Sequence, residues 1–255
     1  MSMTAAETPG FVTKQPIRPL EALRAYNRLL KDKEDTRQVF AIIRALTGDS
    51  LRKVYQKMLS DEEGGRQAYL GLELRHKLDD AAWMAQFREG TVGAEFRKFL
   101  ALRGFTVEGL AMDAEAVDDR VNAEHPVAWL ARRISDTHDI WHVITGYGTD
   151  ALGEASILAF TYAQVPNPGV AFIAFGASRE FPKRNPGPAY GKAIWEGYRR
   201  GKAAKSLICQ DYEKLLAEPL DQVRKRLNIT PKPVYDSIPL EARETYLLPE
   251  SRRAA

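Results

Sequence analysis

The chain has 255 residues, of which 44% are hydrophobic and 28% are charged, which is typical of a soluble globular protein. Its formal net charge of +3 is too small to indicate nucleic-acid binding, and no apolar run approaches the roughly 20 residues of a membrane-spanning helix. The single cysteine, Cys209, excludes an internal disulfide and a cysteine-rich zinc module. Since the first residues do not resemble a secretory signal, we predict a cytoplasmic protein.

The first third of the sequence contains three segments with apolar residues at helical spacing. Residues 1–15 are small and polar, and we expect a loose tail there. Pro19 begins the first predicted helix, Thr36 begins a second that ends at Gly48, and Ser50 begins a third.

The helical pattern continues through the middle of the chain. A polar break at residues 61–65 precedes a shorter helical segment, Asp79 or Asp80 caps a helix that extends through Phe87, and Thr91 begins another. Pro126 then begins a long helix. Because no segment shows convincing period-two strands separated by hairpin turns, we predict an all-α fold with a single multi-helix domain.

The central motif has the sequence HDIWH and begins at His138, near the end of that long helix. His138 and His142 are four residues apart, so they lie one turn apart on one helix face and can reach a single metal ion. The glycine-containing loop at 146–150 can end this helix and begin a second one, which runs back beside the first and carries Glu154. We expect this antiparallel pair to gather two imidazoles and the carboxylates of Asp139 and Glu154 around one point.

These four side chains offer the lone pairs that a divalent metal requires. Two nitrogen and two oxygen ligands suit zinc above all, whereas iron and manganese are also acceptable and magnesium requires that the imidazoles bind poorly. Asp139 lies about 100° around the helix from His138, so it is a ligand only if the helix end bends, and otherwise a hydrogen-bonding partner or a base. We predict a mononuclear divalent-metal site.

The same residues also have a purely structural interpretation. A helix can carry neighbouring His and Asp side chains as caps, ion pairs or hydrogen-bonded core groups. Glu154, in register across the glycine turn, favours the metal site over this alternative. His76 and His125 are isolated in the sequence, so we expect surface or core roles for them, and we expect Cys209 to be a small buried residue.

Two later segments each leave two interpretations open. Residues 169–176 are apolar on every side, so they form either a buried core segment or a surface that meets lipid. Residues 179–205 are strongly basic, so they form either a solvated helix face or a site for the anionic head group of an amphiphilic ligand. Such a ligand would lie across the metal site.

The central motif resembles the signature of the Coq-four family of ubiquinone (coenzyme Q) biosynthesis proteins. That signature is similar to HDxxH, eleven residues and then Glu, and this sequence fills it with His138, Asp139, His142 and Glu154. The segments at residues 89–99, 132–133 and 219–227 also look similar to the family.

The resemblance divides the chain into three parts. It covers roughly residues 36–228, which we assign to a Coq-four-like helical domain. Residues 1–35 form an N-terminal tail and first helix, and residues 229–255 are expected to form an extended, partly disordered C-terminal tail.

The resemblance also implies a function. It implies an all-helical fold, a divalent metal at the four signature positions, binding of a prenylated lipid, and membership of a peripheral membrane assembly with other ubiquinone biosynthesis proteins. It further implies a role at C1 of the prenylated ring, where carboxylate is lost and oxygen enters. We therefore predict a metal-dependent carboxy-lyase that acts on a polyprenyl-hydroxybenzoate, located at the inner membrane, on the matrix side in a mitochondrion. A homodimer formed through an apolar helix face is compatible with the pattern.

Candidate residues for holding the substrate anion are Arg132, Arg133 and Lys183. One alternative function is a non-catalytic scaffold that binds prenylated lipid and organises other enzymes, with a structural metal.

A second alternative is phosphohydrolysis, because a His-Asp pair also marks a class of helical phosphohydrolases. That class requires a further distant His and Asp, for which His76 and Asp211 are the nominal candidates. It leaves His142 and Glu154 without a role.

Overall fold

The computed structural model describes residues 15–32, 35–103 and 124–244, and this part of the chain forms helices and no strands. An isolated antiparallel bridge joins Thr91 and Pro219. The helices before the first long gap are α1 (Pro19–Lys31), α2 (Thr36–Thr47), α3 (Ser50–Leu59), α4 (Glu62–Leu70), α5 (Arg75–Leu78), α6 (Ala81–Ala85) and α7 (Val92–Arg103). The helices after it are α8 (Pro126–Thr145), α9 (Ala151–Gln164), α10 (Pro168–Arg184), α11 (Tyr190–Ala203), α12 (Tyr212–Ala217), α13 (Leu220–Arg226), α14 (Pro233–Asp236) and α15 (Leu240–Glu244). The all-α prediction is confirmed.

One large hydrophobic core surrounds α8. Leu130, Ile140, Trp141 and Ile144 of this helix are almost fully buried and belong to the same cluster as the apolar side chains of α9, α11 and α12. α9 packs far more extensively against α11 than against α8. The two helices of the predicted pair therefore share a limited contact, and that contact contains the motif.

A second, smaller core lies under the N-terminal helices. α1 and α2 pack on each other and on α10, and the ring of Tyr26 meets the ring of Phe172 edge-on at 5.2 Å. The buried side chains of this cluster are Ala22, Ala25, Leu29, Ile42, Ala45, Leu46 and Ile173.

Several helix boundaries follow the local rules by which they were predicted. Asp80 accepts hydrogen bonds from the first turn of α6, and Pro126 begins α8. The polar break predicted at residues 61–65 is wrong, because the Asp61 side chain caps a helix that begins at Glu62. The helix after Asp80 ends at Ala85, earlier than expected.

Residues 169–176 lie inside α10 and are divided between core and surface. Val170, Ile173 and Ala174 are buried, whereas the side chain of Phe175 is exposed beneath the guanidinium of Arg179, 4.7 Å from the ring centroid. The core interpretation therefore holds for most of the segment. In the part of the chain that the structure describes, no helix is both long and apolar enough to cross a membrane.

The C-terminal segment departs from its prediction. Residues 233–244 contain α14 and α15 instead of an extended tail, and Tyr235 and Ile238 are buried in the main core. Glu196 holds this segment by accepting hydrogen bonds from the backbone amides of Val234 and Tyr235 at 3.1 and 3.0 Å. Residues 245–255, and residues 1–14 of the predicted N-terminal tail, lie outside the described ranges.

The turn between α8 and α9 forms as its sequence predicts. Gly146 ends α8 in the left-handed conformation, with φ of 76°, and its amide donates to the His142 carbonyl at 2.8 Å. Asp150 then caps α9 by accepting a hydrogen bond from Gly153 N at 2.8 Å. Glu154 therefore lies in the first turn of α9.

Candidate metal centre

The structure gathers the residues of the central motif at the turn. One donor atom from each of His138, Asp139 and His142 lies within 4.8 Å of the other two. The Glu154 Oε2 atom lies 3.4 Å from His142 Nε2 and 3.7 Å from His138 Nε2. Four side chains from two helices thus converge, with Asp139 close enough to join the histidines despite its different angle on the helix.

His142 is held in a fixed orientation. Its side chain is fully buried, and its Nδ1 atom lies 3.1 Å from the Tyr147 carbonyl, which can accept a proton from it. Phe99 of α7 stacks on the imidazole at 5.6 Å between ring centroids. When Nδ1 carries the proton of the neutral ring, the lone pair is on Nε2, the nitrogen that faces Glu154.

The charges around His142 favour a cation. Burial lowers the pKa of the His142 imidazole, but the carboxylates of Glu154 and Asp139 outweigh it, so the pKa lies above its usual value. Burial raises the pKa of the Glu154 carboxyl, but His142 and His138 lower it by a larger amount. The net pKa of Glu154 is therefore well below the ordinary range. A site that stabilises a proton on the imidazole in this way also attracts a metal ion, which competes with that proton.

The donor set fits a divalent metal. His142 Nε2 is buried and makes no hydrogen bond of acceptable geometry, although Glu154 is within 3.4 Å. In the neutral ring with its proton on Nδ1, this nitrogen and the Glu154 carboxylate both offer lone pairs across 3.4 Å, so a proton or a cation must lie between them. A metal ligated by the imidazole nitrogens and carboxylate oxygens would fill that position, and these are donors that zinc, iron and manganese accept.

The three basic residues that were candidates for the substrate anion have partners in different parts of the chain. Arg132 forms a bidentate ion pair with Glu73, with distances of 2.7 and 3.2 Å. Arg133 is buried and donates to backbone carbonyls of Ile208 and Gln210, and Lys183 pairs with Glu180.

Three other predicted roles can be placed. His125 caps α8 by accepting a hydrogen bond from Val127 N at 3.2 Å, and Cys209 is buried, as expected. Asp211 caps α12 and pairs with Arg66 and Lys214. Among the described residues, His138, Asp139 and His142 form the group whose donor atoms lie within 4.8 Å of one another, and Glu154 Oε2 lies within 3.7 Å of both histidines. Neither His76 nor Asp211 belongs to that group.

Sequence reasoning assigned no role at the metal site to several side chains that support it. Two are aromatic residues that contact the motif, and three lie later in the chain, beyond the end of α9. They are Phe99, Tyr147, Arg200, Arg224 and Tyr235. Apart from Tyr147, each reaches the turn from a distant element, so no local spacing could have indicated them.

The residues of the site lie in a region of the chain that is similar to known proteins. The sequence profile of the family described as "Coenzyme Q (ubiquinone) biosynthesis protein Coq4" matches residues 20–233, which include both helices of the site. The chain belongs to this family. The match begins in α1 and ends in α14, and therefore extends beyond residues 36–228, the range over which the motif resemblance was drawn.

Individual members of the Coq4 family are similar over most of the chain. The ubiquinone biosynthesis protein COQ4 homolog of Danio rerio is 28% identical over 196 residues, which are 76% of this chain and 70% of that protein. The relative from Nematostella vectensis is 28% identical over 72% of this chain and 88% of its own length, and that from Scheffersomyces stipitis is 26% identical over 72% and 55%. All three are named as mitochondrial proteins.

A solved structure has the same fold. The crystal structure of a protein from Nostoc punctiforme, named for ubiquinone biosynthesis, superposes with a TM-score of 0.65 at 23% identity and covers 85% of this chain and 100% of its own. The helical arrangement is thus shared with a protein of distant sequence.

Proposed function

We propose that this Coq4 family member takes part in ubiquinone biosynthesis as a divalent-metal-dependent enzyme that removes the C1 carboxylate of a polyprenyl-hydroxybenzoate. The observation that carries the proposal is the convergence of His138, Asp139, His142 and Glu154, with a buried imidazole nitrogen facing the carboxylate of Glu154. Family membership supports the role in ubiquinone biosynthesis, and the four converging side chains support metal-dependent chemistry.

The four converging side chains would hold the cation. Zinc is the ion that suits two imidazoles and two carboxylates best, with iron, manganese and magnesium as alternatives. When bound, a divalent cation acts as a Lewis acid on the substrate carboxylate or phenolate and stabilises negative charge on the ring as carbon dioxide leaves.

The surrounding residues set the conditions for that step. The Tyr147 carbonyl fixes the orientation of His142, and Phe99 covers one face of its ring and excludes water there. In the decarboxylation the bond between the ring and the carboxylate breaks, its electron pair stays on the ring carbon, and a proton replaces the carboxylate. Coupled entry of oxygen would require molecular oxygen as oxidant together with a redox-active metal, because zinc does not change its oxidation state.

We also propose a substrate, partner proteins and a location in the cell. A prenylated precursor of ubiquinone is the substrate, with Arg132, Arg133 and Lys183 as the candidates for holding its anionic group. Other ubiquinone biosynthesis proteins are partners at the surface of the inner membrane, on the matrix side in a mitochondrion, and the protein contacts that membrane peripherally as a monomer or a homodimer. The mitochondrial names of the relatives support this location.

Elemental analysis of the purified protein tests the metal site. We expect near-stoichiometric metal in the wild type and none in His142→Ala or Glu154→Ala, with circular dichroism showing that both variants are folded. His76→Ala is the matched control, because this histidine lies outside the group of candidate ligands and should retain the metal. If the wild type binds none of zinc, iron, manganese and magnesium when they are added, the proposal fails.

Incubation of the metal-loaded protein with a polyprenyl-hydroxybenzoate, with and without oxygen, tests the reaction. Release of carbon dioxide that is lost in His142→Ala supports the enzyme. Tight lipid binding without conversion in either condition would overturn the catalytic proposal in favour of the scaffold. Release of phosphate from phosphate esters, abolished by His76→Ala, would point to phosphohydrolysis instead.

A further inference from the structure

The last turn of α8 carries His142 and ends in the interior of the protein. The last four carbonyls of an α-helix have no partner within the helix and require one elsewhere when they are buried. In α8 these are the carbonyls of residues 142–145, and all four residues are buried. The partners of these carbonyls therefore determine where the end of the helix lies.

Two arginines from later helices supply most of those partners. Arg224 of α13 donates from Nη2 to the Val143 carbonyl at 3.0 Å and from Nε to the Ile144 carbonyl at 2.9 Å. Arg200 of α11 donates from Nη2 to the Thr145 carbonyl at 2.9 Å. The fourth carbonyl, that of His142, accepts the Gly146 amide. Every orphan carbonyl of the turn is thus satisfied, three of them by guanidinium groups.

The arrangement places two cations close together, one buried and one partly buried. Arg200 is 5% exposed, and burial together with the nearby charge of Arg200 lowers the pKa of the Arg224 guanidinium. The negative end of the α8 dipole, at these carbonyls, offsets part of that repulsion. Charges that are wholly or partly removed from water are costly unless each makes oriented hydrogen bonds, so the two guanidinium groups favour a single position of this turn.

Arg200 also reaches the group that orients His142. Its guanidinium lies over the ring of Tyr147, 4.8 Å from the centroid, and its Nε atom donates to the Thr230 carbonyl at 2.8 Å. Tyr147 is the residue whose carbonyl faces His142 Nδ1. Arg200 therefore contacts both the end of the helix and the residue that sets the orientation of the imidazole.

The C-terminal segment holds the other side of the same turn. The Tyr235 hydroxyl donates to the Asp150 carboxylate and accepts a hydrogen bond from Gly148 N at 3.1 Å. Its ring meets that of Tyr147 edge-on at 5.1 Å. Asp150 caps α9, so Tyr235 connects the loop to the helix that carries Glu154.

We propose that Arg200 and Arg224, assisted by Tyr235, are positioning residues that fix the α8–α9 turn and thereby set the distance of His142 from Glu154. This inference rests on the proposed function, since it concerns the geometry of the same metal site. None of the three is a ligand. They act through the Val143, Ile144 and Thr145 carbonyls, through Tyr147 and through Asp150.

Cobalt(II) is the probe that tests the proposal, because its visible absorption depends on the number and geometry of its ligands. The 255-residue chain, freed of metal and loaded with cobalt(II), is compared with Arg200→Lys, Arg224→Lys and Tyr235→Phe. A lysine keeps the charge but cannot reproduce the fixed fork of the guanidinium, and the phenylalanine removes a single hydroxyl. We expect a changed absorption spectrum and metal affinity weakened by about 10- to 100-fold in the arginine variants, as for other residues that orient metal ligands.

Two matched controls separate positioning from general stability. Arg97 donates to the Met84 and Phe87 carbonyls near the end of α6, so Arg97→Lys makes the same chemical change at the end of another helix. Arg226 lies on the same short helix as Arg224 but pairs with Glu218 at the surface. Arg97→Lys and Arg226→Lys should leave the cobalt spectrum and affinity unchanged, even where urea unfolding shows a loss of stability.

The outcomes distinguish this inference from the proposed function. If wild-type protein binds neither cobalt(II) nor any other added divalent metal, both fail together. If the wild type binds cobalt(II) and the three variants keep its spectrum and affinity, only the positioning role is overturned. If an arginine variant does not fold, Tyr235→Phe decides: an altered spectrum in that folded variant supports the role, and an unaltered one contradicts it.

Discussion

The two hydrophobic clusters of the molecule differ in what they enclose. The small cluster beneath α1, α2 and α10 contains aliphatic side chains, four of them alanine or isoleucine residues that are almost fully buried: Ala22, Ala25, Ile42 and Ala45. The helix at the centre of the large cluster, α8, buries polar side chains as well, among them Asp139, His142 and Thr145. Burying a polar group costs free energy unless it is hydrogen-bonded or coordinates a metal. Polar groups inside a core therefore indicate a function more strongly than apolar packing does.

Paired substitutions, one in each cluster, can test this contrast. Each pair makes the same or a closely related change in two places, so the two members should lose similar stability. The members should differ in metal affinity, because the proposed ligands lie on α8 and α9, beside the large cluster. Urea unfolding of metal-free protein measures the first quantity, and chelator competition measures the second.

The largest effect is expected from two buried isoleucines. Ile144 of α8 and Ile42 of α2 are both 0% exposed, and replacing either by alanine leaves a cavity that costs about 2–5 kcal/mol of unfolding free energy. Ile144→Ala should also weaken metal binding, because Ile144 lies in the last helical turn of α8, which also carries His142. Ile42→Ala should leave metal affinity unchanged. Equal losses of metal affinity in both would show that the site responds to overall stability and not to the position of this turn.

A smaller effect is expected where helices approach most closely. A Cβ atom on Gly153 would overlap the Gly148 carbonyl in the turn, and one on Gly169 would overlap the backbone of Ile43 where α10 crosses α2. Gly153→Ala and Gly169→Ala should each cost about 1–3 kcal/mol, since the backbone must move apart.

Gly153→Ala should shift the loop that holds Tyr147 and so reduce metal affinity, whereas Gly169→Ala should not. Unchanged metal affinity in a folded, destabilised Gly153→Ala protein would contradict the coupling between loop and site.

The third pair concerns helix caps. Asp150 accepts a hydrogen bond from Gly153 N at the start of α9, and Asn167 accepts one from Gly169 N at the start of α10, both at 2.8 Å. Alanine at either position should cost about 0.5–2 kcal/mol. Asp150→Ala also frees the Tyr235 hydroxyl from its carboxylate partner, so a small loss of metal affinity should accompany it, in contrast to Asn167→Ala. A cobalt(II) spectrum identical to that of the wild type would limit Asp150 to a structural role.

Features that depend on neighbouring residues were predictable from the sequence. Pro126, Gly146 and Asp150 act within one turn of their own position, and the four-residue spacing of His138 and His142 fixes their common helix face. The group of candidate ligands could therefore be predicted from the sequence of α8, the loop at 146–150 and the first helical turn of α9. The separation of His142 Nε2 from Glu154 is consistent with that assembly.

Features that depend on distant partners were not predictable. Arg200 and Arg224 look like members of basic surface segments, because nothing local shows that helix carbonyls 55 and 80 residues earlier will accept their hydrogen bonds. The C-terminal segment was predicted as extended because its helices are too short for a periodic apolar pattern. Its buried position depends on Glu196 and Asp150, which only the folded chain brings to Tyr235.

The smallest change in stability is expected from Lys183, on the helix α10 that joins the two clusters. Its side chain is 67% exposed and pairs with Glu180, so Lys183→Ala should change the unfolding free energy by less than about 1 kcal/mol and leave metal affinity unaltered. As a candidate for holding the substrate anion, Lys183 should nevertheless contribute to binding of a polyprenyl-hydroxybenzoate. Lys192→Ala on α11 is the matched control, a basic residue of the same segment that is also exposed.

Isothermal titration of metal-loaded protein with a polyprenyl-hydroxybenzoate measures the difference. Weaker binding in Lys183→Ala than in Lys192→Ala would place the carboxylate of the substrate beside α10, at the junction of the two clusters. Equal substrate binding by both variants and the wild type would show that Lys183 does not hold the anion. Helix α10 would then contribute only to packing. The metal would then have to hold the anion without a basic side chain, because the guanidinium groups of Arg132 and Arg133 already bind Glu73 and the carbonyls of Ile208 and Gln210.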